Sequence, residues 1–190
     1  MSRESQSKHC VRRHVRSFES PLSVLVTSCV FGYVLLATRA QKLCVLFLGQ
    51  SVDSLLVSFQ KRYPEQCINW VTKNRPALIV KVLKVVNGLS QAGDVRLDPQ
   101  GTLFQQTVWR RLQTIPRGET VSYSTIAQCI GRPQSVRAVA NACAANPVAM
   151  FIPCHRVLSK TGALTGYRWG LEYKRQLLAR EGIIHPSLVW

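Results

Sequence analysis

Cys154 stands in the run Ile152-Pro153-Cys154-His155-Arg156-Val157, where a nucleophile, an imidazole and a guanidinium follow one another. A thiol attacks only as its thiolate, and a free cysteine is mostly protonated at neutral pH. The adjacent His155 and Arg156, on a turn stiffened by Pro153, are expected to lower the thiol's pKa and fix its direction. The chemistry on offer is attack by sulfur on an electrophilic carbon, with the imidazole as proton acceptor.

A second unusual segment lies upstream. Gln134 to Ala145 reads as a helix of small side chains in which Arg137 is the one charge. Helices that read base edges in the major groove carry several long polar side chains. A nearly bare helix suits close approach to a narrow groove, with the arginine entering the base stack. A core helix with Arg137 in a surface salt bridge fits this segment equally well. Ser122 to Ile130 reads as a short helix and Gly131-Arg132 as a tight turn. With a second helix from Pro133, at the first helical position, to Ala145, the pattern is a helix-turn-helix. Asn146-Pro147 stops that helix, and apolar Val148 to Ile152 leads into Cys154.

Other elements must position these residues. Gly101-Thr102 opens a helix, with Thr102 and Gln105 in capping-box spacing and Leu103, Phe104, Val108, Leu112 and Ile115 as its apolar face; Pro116-Arg117-Gly118 ends it. Asn74 to Leu89 has a helical pattern with Pro76 near its start and Gly88 near its end, and Ser51 to Tyr63 another, with Leu55, Leu56 and Phe59 on one face. Residues 24–49 read as a β-hairpin, the apolar runs Pro21 to Ala37 and Leu43 to Leu48 flanking a polar break at 38–42. Arg12, Arg13 and Arg16 before the first run imitate a signal peptide or a membrane span, but Ser23, Thr27 and Ser28 interrupt it, and no membrane partner is expected. A short strand fits Val95-Arg96-Leu97. The expected fold is α/β (α+β): a basic tail at 1–18, a first lobe at 19–99 with a small antiparallel sheet and helices, and a mainly helical, winged-helix-like second lobe at 100–190.

Composition narrows the function classes. With 190 residues, 46% hydrophobic and 18% charged, the chain is globular rather than disordered. Lys and Arg number 25 against 9 Asp and Glu, and the net +16 draws polyanions, nucleic acid first among them. Seven cysteines, an odd number with no C-x-x-C pair, point to a reducing cytosol. His9, Cys10 and His14 fall in the basic tail, and no metal site is expected there. No glycine-rich loop for a nucleotide or methyl donor occurs, and no cofactor is expected.

The motifs G-E-T-V-S-Y (118–123), R-A-V-A-N-A (137–142), A-N-P-V (145–148), I-P-C-H-R-V (152–157), G-Y-R-W-G-L (166–171) and L-L-A-R-E-G (177–182) follow one another as in the O6-alkylguanine-DNA alkyltransferase family. The chain resembles that family densely over about residues 90–182. Its first half resembles the family's less constrained N-terminal, ribonuclease-H-like lobe. The Arg168-Trp169 pair is similar to bacterial members. The resemblance implies a monomeric, cytoplasmic, stand-alone repair protein, without the regulatory domains of the family's bifunctional transcription regulators. Its implied partner is double-stranded DNA containing O6-alkylguanine, bound through the minor groove with the base flipped. Its implied reaction is irreversible transfer of the alkyl group, from O6-alkylguanine and also O4-methylthymine, to its own cysteine.

Residue by residue, the resemblance makes Cys154 the acceptor and His155 the group that takes its proton through a water, with Glu181 orienting the imidazole. Nucleophile, base and orienting group form a chemically sensible set. Tyr123 corresponds to the tyrosine whose hydroxyl helps the leaving base accept a proton. Arg137 corresponds to the intercalating arginine, with Gln134, Ser135 and Ala138 beside it on the DNA side, and Asn146 to the hinge asparagine. Val157, Gly166, Tyr167, Arg168, Trp169 and Cys143 are expected to line the pocket. Nothing in the chain suggests a group that cleaves a thioether, so each molecule acts once. Trp169 is bulky and is expected to narrow the pocket. Free O6-benzylguanine should therefore inactivate the protein poorly; potent inactivation in a competition assay contradicts this. Three rival readings are weaker. A non-catalytic lesion-binding relative lacks the acceptor cysteine, a helix-turn-helix transcription factor needs a more polar reading helix, and a thiol hydrolase needs an oxyanion site and leaves +16 unexplained.

Overall fold

The first apolar run turns back on itself. In the computed structural model, which describes residues 20–91 and 93–183, β1 (Leu22–Cys29) and β2 (Gly32–Arg39) pair antiparallel from Ser23–Thr38 to Cys29–Gly32, and β3 (Lys42–Gly49) pairs with β2. The hairpin expected over 24–49 is thus a three-stranded meander. A hydrophobicity reading misses the extra reversal because its turn residue Phe31 is itself buried. The break comes from Gly32, whose φ of +100° is a conformation side-chain-bearing residues rarely adopt. The basic tail at 1–18, with His9, Cys10 and His14, lies outside the described residues.

A fourth strand beyond those expected, β4 (Ile68–Trp70), joins β1 in parallel, giving the order β3-β2-β1-β4. Side chains alternate across the sheet. On one face Val24, Leu35, Val45 and Phe47 pack with Leu55 and Phe59 of α1 (Val52–Arg62), a helix capped by the Ser51 hydroxyl. On the other face Leu25, Val34, Leu36 and Leu46 join Ile79, Val82 and Val86 of α2 (Ala77–Val86). That second cluster continues into Val108, Trp109, Val139 and Ile152, so one core runs through both halves of the chain.

The edge strand β3 is covered by loops, which satisfies groups that would otherwise template foreign strands. Leu43 exchanges hydrogen bonds with Arg96 and Asp98, so the strand expected at Val95–Leu97 is reduced to a single bridge. Leu46 exchanges two more with Pro147 and Ala149, at 2.9 and 3.0 Å. The second pair ties the sheet to the segment that leads into Cys154.

The capping box forms as expected. Thr102 Oγ1 accepts from Gln105 N, and Gln105 Oε1 accepts from Thr102 N, at the start of α3 (Leu103–Leu112). Leu103 does not join the core and is 84% exposed. At about 100° per residue it lies roughly 140° around the helix from Val108. Trp109 fills the core instead, and its Nε1 donates to Ala142 O at 2.8 Å. After α4 (Tyr123–Cys129), residues 132–135 form a turn closed by Ser135 N to Arg132 O, so α5 (Val136–Ala144) starts three residues later than Pro133 suggested. The last helix, α6 (Leu171–Arg180), packs beside the Cys154 segment. Two short strands the sequence did not announce, β5 (Val121–Ser122) and β6 (Val157–Leu158), pair in parallel and hold the start of α4 beside the Cys154 turn. Among the described residues no helix is long and apolar enough to cross a membrane.

Candidate functional site

The end of α5 and the Cys154 turn are laced together by one side chain. Asn146 is fully buried; its Nδ2 donates to Ile152 O at 2.8 Å and to Cys154 Sγ at 3.1 Å, while its Oδ1 accepts from Val148 N at 2.8 Å. Cys154–Arg156 form a single 3-10 turn after Pro153, leading directly into β6. The Cys154 sulfur therefore rests on backbone fixed from both sides: by the β3 edge through residues 147–149 and by β5 through Val157.

His155 is buried, and its Nε2 lies 2.9 Å from Glu181 Oε1. Arg156 grips the same carboxylate with two nitrogens, each at 2.8 Å, and donates Nη1 to Ile115 O at 2.6 Å. Burial alone would raise the Glu181 pKa, but the hydrogen bonds from His155 and Arg156 outweigh it and hold the carboxyl at about 2. Burial lowers the His155 pKa, against the opposing pull of Glu181, so the ring is neutral near pH 7. With an ionised carboxylate facing it, Nε2 carries the proton and donates. Nδ1, buried and without a protein partner, is the ring's basic position.

The expectation that His155 and Arg156 lower the pKa of the thiol is overturned. Burial pushes Cys154 up to about 11, and the hydrogen bond from Asn146 and the charge of Lys174 oppose this only in part. Adjacency in sequence does not place a charge at the sulfur: His155 Nε2 and the Arg156 guanidinium turn to Glu181. The buried Tyr167 hydroxyl also acts on the sulfur, at a geometry short of a full hydrogen bond.

Lys174, on α6, went unnoticed in the sequence. It is fully buried, its Nζ donating to Val157 O at 2.7 Å and Thr165 O at 3.1 Å. Burial lowers its pKa to about 8, against the pull of Cys154 and Cys143. The available signal was its place in the apolar stripe of Leu177 and Leu178, where a charge has no reason to sit unless partnered. Lys174→Ala should cost about 1–3 kcal/mol, because both carbonyls lose their donor. Urea denaturation checks this, and an unchanged midpoint contradicts it.

The remaining predicted residues fall into two groups. Tyr123 opens α4, and its hydroxyl accepts from Thr165 Oγ1 at 3.4 Å; burial raises its pKa. Cys143 is buried on α5, its thiol pushed up by burial, and Val157 is buried beside the turn. Tyr167 and Trp169 form an edge-on pair 5.1 Å apart, and Trp169 also reaches Phe47 of β3 at 6.4 Å. Arg168 stacks over Phe47 at 4.5 Å, so it faces the sheet, and Gly166 is exposed. Gln134, Arg137 and Ala138 are exposed and Ser135 is half-buried. These four lie on the turn and first residues of α5, outside the buried Cys154 cluster. Among the described residues no three His, Cys, Asp or Glu side chains are grouped to hold a metal ion.

A fold that hangs a buried cysteine between a helix-turn-helix and a His–Glu pair defines a class of protein, and the comparisons agree with it. Residues 103–183 match the DNA-binding domain of 6-O-methylguanine DNA methyltransferase. The inducible methylated-DNA–protein-cysteine methyltransferase of Bacillus subtilis is 39% identical over 140 residues, covering 72% of this chain and 78% of that protein. The bifunctional transcriptional activator/DNA repair enzyme Ada of Escherichia coli is 43% identical over 162 residues. That match covers 82% of this chain but 44% of Ada, so the chain spans less than half of Ada's length. The crystal structure of Mycobacterium tuberculosis O6-methylguanine methyltransferase superposes with a TM-score of 0.69 at 34% identity, covering 84% of this chain and 92% of that one. The same mycobacterial protein has been solved in complex with DNA. This chain belongs to the methylated-DNA–protein-cysteine methyltransferase family.

Proposed function

We propose that the chain repairs DNA by direct reversal, moving an alkyl group from O6-alkylguanine, and from O4-methylthymine, to Cys154 in a reaction each molecule performs once. The observation that carries this is the buried sulfur held by Asn146 beside a histidine whose Nε2 is committed to Glu181. A thiol at about 11 is ionised in roughly one molecule in ten thousand at pH 7. Proton removal must therefore accompany attack. His155 Nδ1 receives the proton through a water, the C–S bond forms as the O6–C bond breaks, and guanine leaves as a neutral base after taking a proton with help from the Tyr123 hydroxyl. The product is a thioether, which the protein has no means to reverse.

The partner in this reading is double-stranded DNA. The net charge of +16, the DNA-binding family match and the DNA complex of the mycobacterial relative support it. The exposed, nearly bare start of α5 lies in the minor groove, and Arg137 fills the place of the flipped base. The protein acts as a monomer in a reducing cytoplasm, with a division of the chain near residue 100. Trp169, packed between Tyr167 and Phe47, keeps the alkyl pocket narrow.

Intact-mass measurement after incubation with an O6-methylguanine oligonucleotide tests the reading. One gain of roughly 14 Da, absent from Cys154→Ala, is expected. Repeated turnover, or no gain, overturns it.

A further inference from the structure

A cavity lies apart from the sulfur, between the loops that follow α2 and α3 and the end of α6. It encloses about 430 Å³, and neither Cys154, Tyr123, Asn146 nor Tyr167 lines it. It reaches His155 and Glu181 from the side of the loop after α2 and the loop after α3. Its walls are of two kinds. Val85, Leu89, Met150, Phe151 and Leu177 make an apolar surface, and Arg117, Arg156 and Arg180 supply three cations against the one carboxylate of Glu181. Since His155 is neutral, the lining carries a surplus of two positive charges.

Arg156 is committed to Glu181 and Ile115. Arg117 and Arg180 are differently placed, at the exposed rim. Arg117 donates Nη2 to Arg180 O at 2.7 Å, and Arg180 donates Nη1 to Val86 O at 3.1 Å. Arg180 also stacks on Phe31, with its guanidinium carbon 4.2 Å from the ring centroid. Both guanidinium groups are thus anchored by backbone carbonyls while keeping other N–H donors, the preorganised fork that suits phosphate oxygens. A pocket of a few hundred Å³ with an apolar wall and a small number of charged groups on its lining is the ordinary form of a small-molecule site.

We propose that this cavity binds a small organic phosphate: the dianionic head between Arg117 and Arg180, the apolar body against Val85, Met150 and Phe151. The head matches the surplus of two charges, since a phosphate monoester carries about −1.5 to −2 at neutral pH. The site is separate from the alkyl acceptor and touches the repair machinery only at His155 and Glu181. Occupancy therefore does not require a reactive Cys154.

Titration calorimetry with phenyl phosphate tests this on the full chain. One molecule should bind per chain, with phenol and inorganic phosphate each at least tenfold weaker, because each offers only half of the recognition. Cys154→Ala should bind equally well, which keeps the result independent of whether the chain repairs DNA. The double variant Arg117→Gln, Arg180→Gln should lose at least tenfold. Val85→Trp, which fills the apolar wall and leaves both arginines in place, should lose as much. Arg110→Gln, an exposed arginine outside the cavity, should change nothing. Binding that survives both cavity variants, falls equally with Arg110→Gln, or is matched by inorganic phosphate reflects the general basicity of the chain and overturns the proposal.

Discussion

Glu181→Ala is expected to destabilise the fold by on the order of 3–5 kcal/mol and to abolish alkyl transfer at neutral pH. Among the described residues the carboxylate is the one acidic partner of both His155 and Arg156, and its side chain is only 10% exposed. Removing it leaves the Arg156 guanidinium, 14% exposed, as a largely desolvated charge without a counterion. Glu181→Gln separates charge from shape, since it can still accept from His155 Nε2. It should retain more stability than alanine and lose the acid dependence of folding. The sign follows from the shift: the folded-state pKa is about 2, against 4.5 for an unperturbed group. The stabilisation is therefore complete above about pH 4.5 and lost as pH falls towards 2. It amounts to on the order of 2–3 kcal/mol, allowing for screening at the carboxylate's exposed edge. Urea titrations from pH 3 to 7 read this out. If Glu181→Gln shows the same acid slope as the unaltered chain, the carboxylate is not the group responsible.

Asn146→Ala is the second large effect, and it separates structure from chemistry. Three hydrogen bonds end on this one fully buried side chain, two of them from or to backbone groups. Their loss should cost about 2–4 kcal/mol. The bond from Nδ2 is also the largest influence holding the Cys154 thiol down against burial, so its removal should push the pKa further above 11. A single-turnover assay at pH 7 to 9 should then show transfer slowed at least tenfold, with the deficit narrowing as pH rises. An undiminished rate in a correctly folded variant means that proton removal does not depend on Asn146. A deficit of the same size at every pH points instead to displaced backbone at residues 147–154.

Much of this site was legible in sequence, but unevenly. The capping box at Thr102, the N-terminus of α1 at Ser51 and the stop at Asn146-Pro147 rest on hydrogen bonds between residues a few positions apart, so local spacing suffices to find them. The reversal at Phe31-Gly32 is hidden in the sequence because a buried turn residue looks like strand. Leu103 belongs to the apolar pattern of α3, yet its angle around the helix puts it in solvent, and Pro133 is suited to a first helical position, yet residues 132–135 close a turn of their own before α5. The β5–β6 pair spans 36 residues between Val121 and Val157, and two-residue strands leave no periodic signal at all.

The sequence alone singled out Cys154 as the expected nucleophile, because it lies among six motifs that follow one family's order and spacing, and it determined the excess of positive charge. Only the tertiary structure decided the state of that thiol. A pKa reports desolvation and through-space contact, and both depend on which groups the fold brings together. His155 and Arg156 are the neighbours of Cys154 in the chain, yet they turn to Glu181, some 25 positions away. The sulfur meets Asn146, Tyr167 and the field of Lys174 in a dry core that keeps it protonated until a base acts.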